Sequence, residues 1–502
     1  MLEDWDIRGG DCCNWTGVTC GNSSYQHKVT LIDLTDVRGR FISEEWYPNG
    51  SHFGQFMELE YLNLSGNGIA GWVDPQDIWH LQKVQLLDLN NNHLNDESIA
   101  RLIVPWIHNL TSLFELDLGW NNLKEIHWIS NITSLRSLDL SSNQIKDFSD
   151  IWHLQNVQEL YLHDNNLNDE SIARLIVPWI HNLTSLRIID LSQNQIKDVS
   201  GFWGLQNLEQ LDLSDNQIES VGSWIFNITS GFWGLQNLEN LYLSGNRIES
   251  VGSWIFNITS ARFIDLSNNT IKYLPSDLCQ LQDLQSLDLS YNSMKGNIDT
   301  CLKSLYSLEY LDLSSNQLDG SIPNSFQNLE NIESLDLSNN HLSGEIPSQL
   351  VQLHSLSVFR VSYNNLSGII PYKDQFCTFN KNSFEGNPDL SEELIEKNCW
   401  SMHGTSQTYN VSNNGDYEGT SKVIDNDVFR EMVKLPEVLA RFARQNRSSR
   451  HTPFWEDSVI QRFIGYHNHR DPSHWACYQS LAVLDVMYDD TYVYNPLFDD
   501  II

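Results

Sequence analysis

The chain is poor in positive charge. Among its 502 residues, 30 are Lys or Arg and 65 are Asp or Glu, so that the formal net charge is −35. Nucleic acids and anionic membrane surfaces are bound by basic faces, and this balance therefore argues against both as partners. The acidic excess suits the solubility of a long protein, and it leaves a basic or neutral partner open.

Long apolar runs are also missing. The start, Met1–Asp6, has neither a basic segment nor the apolar core of about 7–15 residues that a secretion signal needs. No run is long enough to span a bilayer. Yet 13 N-x-[ST] sequons and eight cysteines, most of them in short-range groups, favour an oxidising secretory compartment. Because these indications conflict, we expect a chain that is incomplete at both ends.

No complete set of catalytic or metal-binding residues is present in the sequence. The triplet at 469–471, H-R-D, matches the start of a kinase catalytic loop, but the required Asn would fall at Ala476. No Gly-rich loop, V-A-I-K or D-F-G motif accompanies it. Three histidines and a cysteine within 467–477 have a spacing that fits no zinc module. We therefore expect neither an enzyme nor a bound cofactor or metal.

Repetition is what the sequence has in abundance. The pattern L-x-x-L-x-L-x-x-N recurs at steps of 22–30 residues, and Val29–Leu34 is a degenerate first copy, which makes fourteen. One unit cannot bury its own leucines, so neighbouring units must stack, with each L-x-L a short strand of a parallel sheet. The Asn amide both donates and accepts, and so it can pair with backbone groups of adjacent turns. The asparagines are at 67, 92, 121, 143, 165, 194, 216, 246, 269, 292, 316, 340 and 364.

Motifs at both ends of the array carry a resemblance. The last three repeats contain L-x-G-x-I-P at 318–323, 342–347 and 366–371, residues 11–20 read DCCNWTGVTC, and residues 382–388 read NSFEGNP. Together they resemble plant extracellular leucine-rich-repeat receptor-like proteins, over residues 2 to about 399. The resemblance implies an α/β repeat solenoid, a leucine-rich-repeat horseshoe or superhelix. Its parallel β-sheet would line the concave face, with a second short strand in each L-x-G-x-I-P repeat.

The resemblance also implies how the chain is divided. We expect a partial amino-terminal cysteine cap over 1–28 and about 14 leucine-rich repeats over 29–371. A carboxyl cap should cover 372–400. The remaining residues, 401–502, read as a non-repeat tail that is partly disordered.

Three disulfides are expected with this division: Cys13–Cys20, Cys279–Cys301 and Cys377–Cys399. In the family, the first cysteine of the CC pair bonds to an upstream cysteine that this chain lacks, so Cys12 should be unpaired. Ser391 stands where the family's carboxyl cap has a cysteine, and Cys377 is therefore the expected partner of Cys399. Cys477 should be left over.

The function implied by the resemblance is extracellular recognition. The chain looks like the ectodomain of a plant receptor-like protein that binds a peptide or protein ligand in defence or developmental signalling, together with a co-receptor kinase. It would reach the plasma-membrane surface through a membrane segment that this chain lacks. The alternative is a soluble inhibitor of a secreted enzyme, similar to the polygalacturonase-inhibiting proteins. Those proteins have about ten regular repeats, and the irregular steps here favour the receptor-like group.

Candidate contact residues are departures from the repeat consensus on the inner face. The residue between the two strand leucines is Asp in ten repeats, and stacked carboxylates raise each other's pKa; we interpret this row as structural. Aromatic and basic residues replace the usual small polar ones at several positions, and exposed aromatics are enriched in binding hot spots. We expect Trp120 and Tyr161 to face water. The candidates are Tyr61, Trp120, Tyr161, His163, Tyr242, Tyr310, Arg360 and Tyr363.

Four sequons share one place in the repeat. Asn109, Asn131, Asn182 and Asn257 each lie four residues before the first hydrophobic residue of a strand segment. Glycans at these positions would cover one flank of the solenoid and leave the inner face open to partners. Asn63 is an exception, because it falls in the middle of a strand on the inner face.

Overall fold

The computed structural model describes residues 12–21, 28–38, 45–106, 109–148, 151, 153–171, 183–199, 205–221, 235–252, 255, 258–273 and 276–399. Two of the candidate glycosylation sites, Asn182 and Asn257, lie outside the described residues. The proposed tail, 401–502, and with it Cys477, also lies outside them.

Short strands are the main regular elements of the described chain. They are β1 (Val18–Gly21), β2 (Lys28–Asp33), β3 (Tyr61–Asn63), β4 (Leu86–Asp88), β5 (Glu115–Asp117), β6 (Ser137–Asp139), β7 (Glu159–Tyr161), β8 (Ile188–Asp190), β9 (Gln210–Asp212), β10 (Asn240–Tyr242), β11 (Phe263–Asp265), β12 (Ser286–Asp288), β13 (Lys295–Asn297), β14 (Tyr310–Asp312), β15 (Gln317–Asp319), β16 (Ser334–Asp336), β17 (Ser343–Gly344), β18 (Val358–Arg360), β19 (Asn365–Ile369) and β20 (Asp389–Ser391).

One long sheet contains the strand of every repeat. Its order is β1 to β12, then β14, β16 and β18, and fourteen of these strands are parallel neighbours. Corresponding residues of successive repeats are paired in register, as in Asp88 with Asp117 and Asp117 with Asp139. The predicted parallel sheet with one strand per repeat is therefore confirmed. The fifteenth strand, β1, belongs to the amino-terminal cap and pairs with β2 in the antiparallel sense.

The period-2 pattern of each strand explains why the repeats stack. In the repeat of β5, Leu116 and Leu118 are at most 1% exposed, whereas Asp117 between them is half-buried on the inner face. The corresponding leucines of the neighbouring repeats are buried to the same degree. Full burial of one such side chain contributes about 1.5–3 kcal/mol, and each repeat obtains that burial only from its neighbours.

A ladder of buried asparagines closes the turn after each strand. Asn143 is typical: its Nδ2 donates to the carbonyls of Leu118 at 3.0 Å and Leu140 at 3.1 Å, and its Oδ1 accepts from the Leu123 N–H at 2.9 Å. The amide thus satisfies backbone groups of two coils, as predicted. Asn387 of the NSFEGNP motif makes the same contacts and extends the ladder into the carboxyl cap.

The L-x-G-x-I-P segments take part in second, smaller sheets, together with β13 before them and β20 after them. Strands β13 and β15 pair in parallel, and β17, β19 and β20 form a three-stranded sheet. This agrees with the second short strand that the resemblance implies. Gly320, in the loop after β15, has φ +75°, and a Cβ there would lie 2.1 Å from Oδ1 of Asn297. The glycine of the motif is therefore required by its backbone conformation.

Helical turns fill most of the remaining segments between strands. Three α-helices are described: α1 (Ser51–Gly54), α2 (Asp96–Trp106) and α3 (Glu393–Asn398). The other helical turns are 3-10 helices at Cys12–Asn14, Pro75–His80, His127–Asn131, Ser276–Gln280, Thr300–Ser304, Asn324–Asn328, Ser348–Gln352, Asp374–Thr378 and Lys381–Ser383.

Disulfides tie both caps and one pair of adjacent repeats. The pairs are the three expected ones, Cys13–Cys20, Cys279–Cys301 and Cys377–Cys399, with Cα separations of 5.0–5.7 Å. Within the described residues Cys12 is the free cysteine. Phe359 of the last repeat packs against the cap rings of Phe376, Phe379 and Phe384, with centroids 5.2–6.1 Å apart. The carboxyl cap thereby covers the open end of the leucine core.

Candidate ligand-binding face

A row of carboxylates runs along the inner face of the long sheet. In all ten members the Oδ1 atom accepts a hydrogen bond of 2.8–3.1 Å from the backbone N–H two residues later, at the end of the strand. The Asp thus has a structural role in ending each strand. This acidic row consists of Asp33, Asp88, Asp117, Asp139, Asp190, Asp212, Asp265, Asp288, Asp312 and Asp336.

Several members of the acidic row resist ionisation. Burial, followed by the charges of neighbouring carboxylates, raises the pKa of Asp88 to about 6 and the pKa of Asp288 to about 7. The same two causes raise the pKa of Asp212 to about 7. Repulsion between like charges, the cause that the stacked pattern predicts, is therefore the smaller of the two, and burial is the larger. The inner face therefore changes its charge between pH 4 and pH 8.

Tyrosines interrupt or overlie the acidic row. Tyr161 takes the place of an Asp between Asp139 and Asp190, and Tyr242 does so between Asp212 and Asp265. Tyr310 begins the strand that Asp312 ends, and its hydroxyl donates to Oδ2 of Asp312 at 3.2 Å.

Exposure of these rings differs from the expectation. Tyr161 is half-buried, so the prediction that it faces water is wrong; Tyr242 and Tyr310 are also half-buried. On the inner face, Tyr61 is likewise half-buried, and its hydroxyl accepts a hydrogen bond of 3.4 Å from Asn63. The reason is that flanking strands of the parallel sheet, only about 4.8 Å away, cover the sides of each ring.

Three exposed aromatics lie at the rim of the face, directly after its strands, rather than on the strands themselves. Trp120 and Tyr363 are 57% and 54% exposed. Each has φ near +52° and lies directly before an asparagine of the buried ladder. The expectation that Trp120 faces water is correct, but it does so from a left-handed turn position. Tyr291 occupies the same position and is 63% exposed. The Tyr363 hydroxyl donates to Glu385 at 2.8 Å.

His163 is part of a buried pair and offers little contact area. It is 9% exposed, and its Nδ1 lies 3.2 Å from Oδ2 of Asp190, which is 1% exposed. Burial by itself lowers the pKa of His163, but the bond and charge of Asp190, with the charges of Asp139 and Asp164, outweigh it and raise that pKa. His163 is thus better placed to hold the face together than to contact a ligand.

The carboxyl-terminal end of the face carries a positively charged residue. Arg360 continues the acidic row on β18, where it is paired with Asp336. Its Nη1 lies 3.4 Å from Oδ2 of Asp336, and the Arg side chain keeps 48% exposure. The face therefore changes from acidic to mixed at this end.

Phe263 is an inner-face aromatic that the sequence patterns did not single out. It lies half-buried on β11 and pairs in register with Asn240 and Ser286. Its place in the strand matches that of Tyr61 and Tyr310, directly before the first buried strand residue. A comparison of residues at equal positions of the repeat would have found it.

The described sequons differ in accessibility. Asn131 is exposed, whereas Asn109 is half-buried and its Nδ2 donates to the Trp79 carbonyl at 2.7 Å. Asn63 is 8% exposed on β3, where its Oδ1 accepts from the N–H and the hydroxyl of Ser65 at 2.9 and 2.7 Å. A glycan on Asn63 is therefore incompatible with this packing.

Comparisons with known proteins agree with the fold. The family model for the leucine-rich repeat region matches residues 32–250, the leucine rich repeat matches 236–294 and 284–342, and the leucine rich repeat N-terminal domain matches 1–21. Among solved structures, an internalin of Listeria monocytogenes is 26% identical with a TM-score of 0.50, covering 61% of this chain and 81% of that one.

Curated relatives are receptors of plants. Receptor-like protein 9b of Arabidopsis thaliana is 32% identical over 133 residues, which are 24% of this chain and 12% of that protein. Phytosulfokine receptor 1 of the same plant is 38% identical over 87 residues, 17% of this chain and 8% of the receptor. The chain thus matches only a small part of the length of these relatives. Within the described residues no helix is long and apolar enough to cross a membrane.

The chain is therefore a leucine-rich-repeat protein. Its amino-terminal domain, its L-x-G-x-I-P strands and its relatives place it more narrowly among the plant leucine-rich-repeat receptor-like proteins.

Proposed function

We propose that the chain is the ligand-binding ectodomain of a plant receptor-like protein and that the inner face binds a peptide with apolar and basic side chains. The observation that carries this proposal is the acidic row with aromatic rings set into it and Trp120 exposed at its rim. Carboxylates attract cationic side chains, while rigid aromatic rings supply contact area at low entropic cost. Defence or developmental signalling with a partner kinase would follow from the receptor-like relatives.

The site proposed for the anchor is the region of β5 to β7. Trp120 is 57% exposed at the end of β5, and Tyr161 lies in the acidic row two strands further on. Asp117 lies on β5, in the repeat of Trp120, and Asp139 lies on β6 between the two aromatic residues. Replacing Trp120 and Tyr161 by Ala should weaken binding by about 1–4 kcal/mol, as for hot-spot residues.

The test uses two synthetic peptide series, one alternating Lys with Leu and one alternating Glu with Leu, titrated against the secreted chain. We expect the Lys series to bind, to lose affinity in the double variant, and to bind more tightly at pH 8 than at pH 5 because the acidic row ionises. Tyr273→Ala is the control, since Tyr273 is 70% exposed and lies outside the strands. Equal binding of both series would contradict the proposal, and unchanged affinity of the double variant would place the anchor elsewhere, first at Arg360 and Tyr363.

A further inference from the structure

A tryptophan precedes five of the sequons, the four candidate glycosylation sites and Asn227, at a constant distance. The pattern W-I-x-N-[LI]-T occurs five times, at 106–111, 128–133, 179–184, 224–229 and 254–259, so that each sequon has a Trp three residues before its Asn. The structure describes all of the second copy and, except for residues 107–108, the first. These two copies differ in what their tryptophan does.

In the first copy the tryptophan is part of the core. Trp106 ends α2, is 1% exposed, and its Nε1 donates to the Leu81 carbonyl at 3.2 Å. The following Asn109 is held by the hydrogen bond from its Nδ2 to the Trp79 carbonyl. A sugar on Asn109 would find no surface of Trp106 to cover.

In the second copy the tryptophan reaches the surface beside its sequon. Trp128 is half-buried against the core, and its Nε1 is buried. The part of the indole that meets solvent is therefore carbon. Asn131 is exposed, and its side chain turns back over this residue, with Nδ2 3.5 Å from the Trp128 carbonyl. The nitrogen that would carry a glycan thus lies beside the main chain of Trp128, the residue whose indole is partly exposed.

We propose that the first sugar of an N-linked glycan on Asn131 packs on Trp128 and becomes a structural part of this coil. The first sugar of such a glycan is an N-acetylhexosamine, whose ring has an apolar C–H face, and covering aromatic carbon with it removes apolar surface from water. The glycan is transferred by the secretory pathway of the host from a lipid-linked diphosphate donor. In that step, the bond from the sugar C1 to the diphosphate breaks, the bond from C1 to Nδ2 forms, and Nδ2 loses one of its two hydrogens.

The packing should stabilise the 3-10 helix His127–Asn131 and the residues after it. The Ile129 N–H donates to the Ile126 carbonyl at 2.9 Å and the Ile132 N–H to the Ile129 carbonyl at 3.0 Å. Both amides are protected only while this turn is closed, so their hydrogen exchange measures its local stability. A ring contact of the size found for aromatic pairs would slow that exchange by about threefold to tenfold.

Two threonine variants form a matched pair for the test. Thr133→Ala and Thr111→Ala each abolish one sequon, both threonines are exposed, and neither Asn nor Trp is changed. The full chain is secreted from a glycosylating host, occupancy is read by glycopeptide mass spectrometry, and exchange is measured at peptides around Ile132 and Leu110. We expect glycan on Asn131, a threefold to tenfold faster exchange around Ile132 in Thr133→Ala, and no change around Leu110 in Thr111→Ala.

Two further arms identify the sugar and the ring. Trimming the glycans enzymatically to one sugar should preserve the protection, because the first sugar makes the contact. In a Trp128→Leu background, Thr133→Ala should have no further effect, while Trp128→Phe should keep part of it. An unoccupied Asn131 would overturn the proposal, as would unchanged exchange in Thr133→Ala. Loss of protection on trimming, or an equal effect of Thr133→Ala without Trp128, would overturn it too. If Trp128→Leu does not fold, the two threonine variants and the trimmed glycoprotein still test the proposal.

Discussion

Replacement of Asp288 by Asn should stabilise the protein at neutral pH and leave it unchanged near pH 4. Asp288 lies in the longest uninterrupted part of the acidic row, between Asp265 and Asp312, and burial with these two charges raises its pKa to about 7. At pH 7.5 the folded protein must therefore hold a carboxylate where ionisation is unfavourable. Asn is neutral at every pH, and its carbonyl oxygen keeps the hydrogen bond from the Ser290 N–H.

The pKa shift sets the size of this effect. The pKa of Asp288 rises from 3.8 in the unfolded chain to about 7 in the folded protein. This difference corresponds to a free energy of unfolding of about 4 kcal/mol at most. Because Asp288 is only half-buried, solvent screens its charge, and we expect about 1–2 kcal/mol for Asp288→Asn at pH 7.5. The sign follows from proton linkage: between the two pKa values the folded state holds the proton that the unfolded state has lost, so wild-type stability falls as pH rises from about 4 to about 7.

The assay is urea unfolding followed by circular dichroism at pH 4, 5.5 and 7.5. The gain in free energy of unfolding should be close to zero at pH 4 and should grow through this range. Asp319→Asn is the matched control, since Asp319 is exposed on β15, and a surface exchange of this kind changes stability by less than about 0.5 kcal/mol. A loss of stability at pH 7.5, or an equal change at all three pH values, would refute the argument from the acidic row.

Three other predictions concern the buried contacts that hold the repeats together. Asn143→Leu should cost about 1–3 kcal/mol in urea unfolding, because it leaves the Leu123 N–H buried without a partner. The Leu118 and Leu140 carbonyls each lose one of two amide donors and keep the bond from Asn121 or Asn165. Replacing Cys279 and Cys301 together by Ser should cost about 3 kcal/mol, since the disulfide closes a loop with a sequence separation of 22. Asp190→Asn should lower the pKa of the His163 imidazole, measured by NMR titration, because burial would then be opposed only by more distant charges.

The repeat pattern was sufficient to predict the buried leucines, the turns after the strands and the order of the strands. The leucines specify which residues are buried, the asparagine specifies the turn, and the constant order of both makes each repeat predict the next. For this reason the fourteen parallel strands and the contacts of Asn143 follow from the sequence. The disulfide Cys279–Cys301 follows from the same repetition, because cysteines at equal places in adjacent repeats must lie near each other.

Exposure of the candidate contact residues was less predictable, because it depends on the neighbouring coils. The position of a residue in the repeat predicts the direction of its side chain. It does not predict the size of the side chains at the same position in the two adjacent repeats. Tyr161 is half-buried for this reason, and His163 is buried because the next repeat offers Asp190 as a partner. Trp120 is exposed because the residue before the ladder asparagine takes a left-handed turn out of the sheet.

The same dependence on neighbours gives the interruptions of the acidic row a physical role. In one unbroken parallel row of ten carboxylates, every member except the two at the ends would face two like charges at the spacing of adjacent strands, about 4.8 Å. Neutral residues at Asn63, Tyr161 and Tyr242 divide the row into runs of one, three, two and four aspartates, and Arg360 ends the last run. Each tyrosine therefore lowers the electrostatic cost of the face, at a position that also belongs to the proposed binding surface. A departure from consensus can thus stabilise the folded face whether or not it contacts a ligand, and the pH dependence of Asp288→Asn measures the electrostatic cost that such a departure relieves.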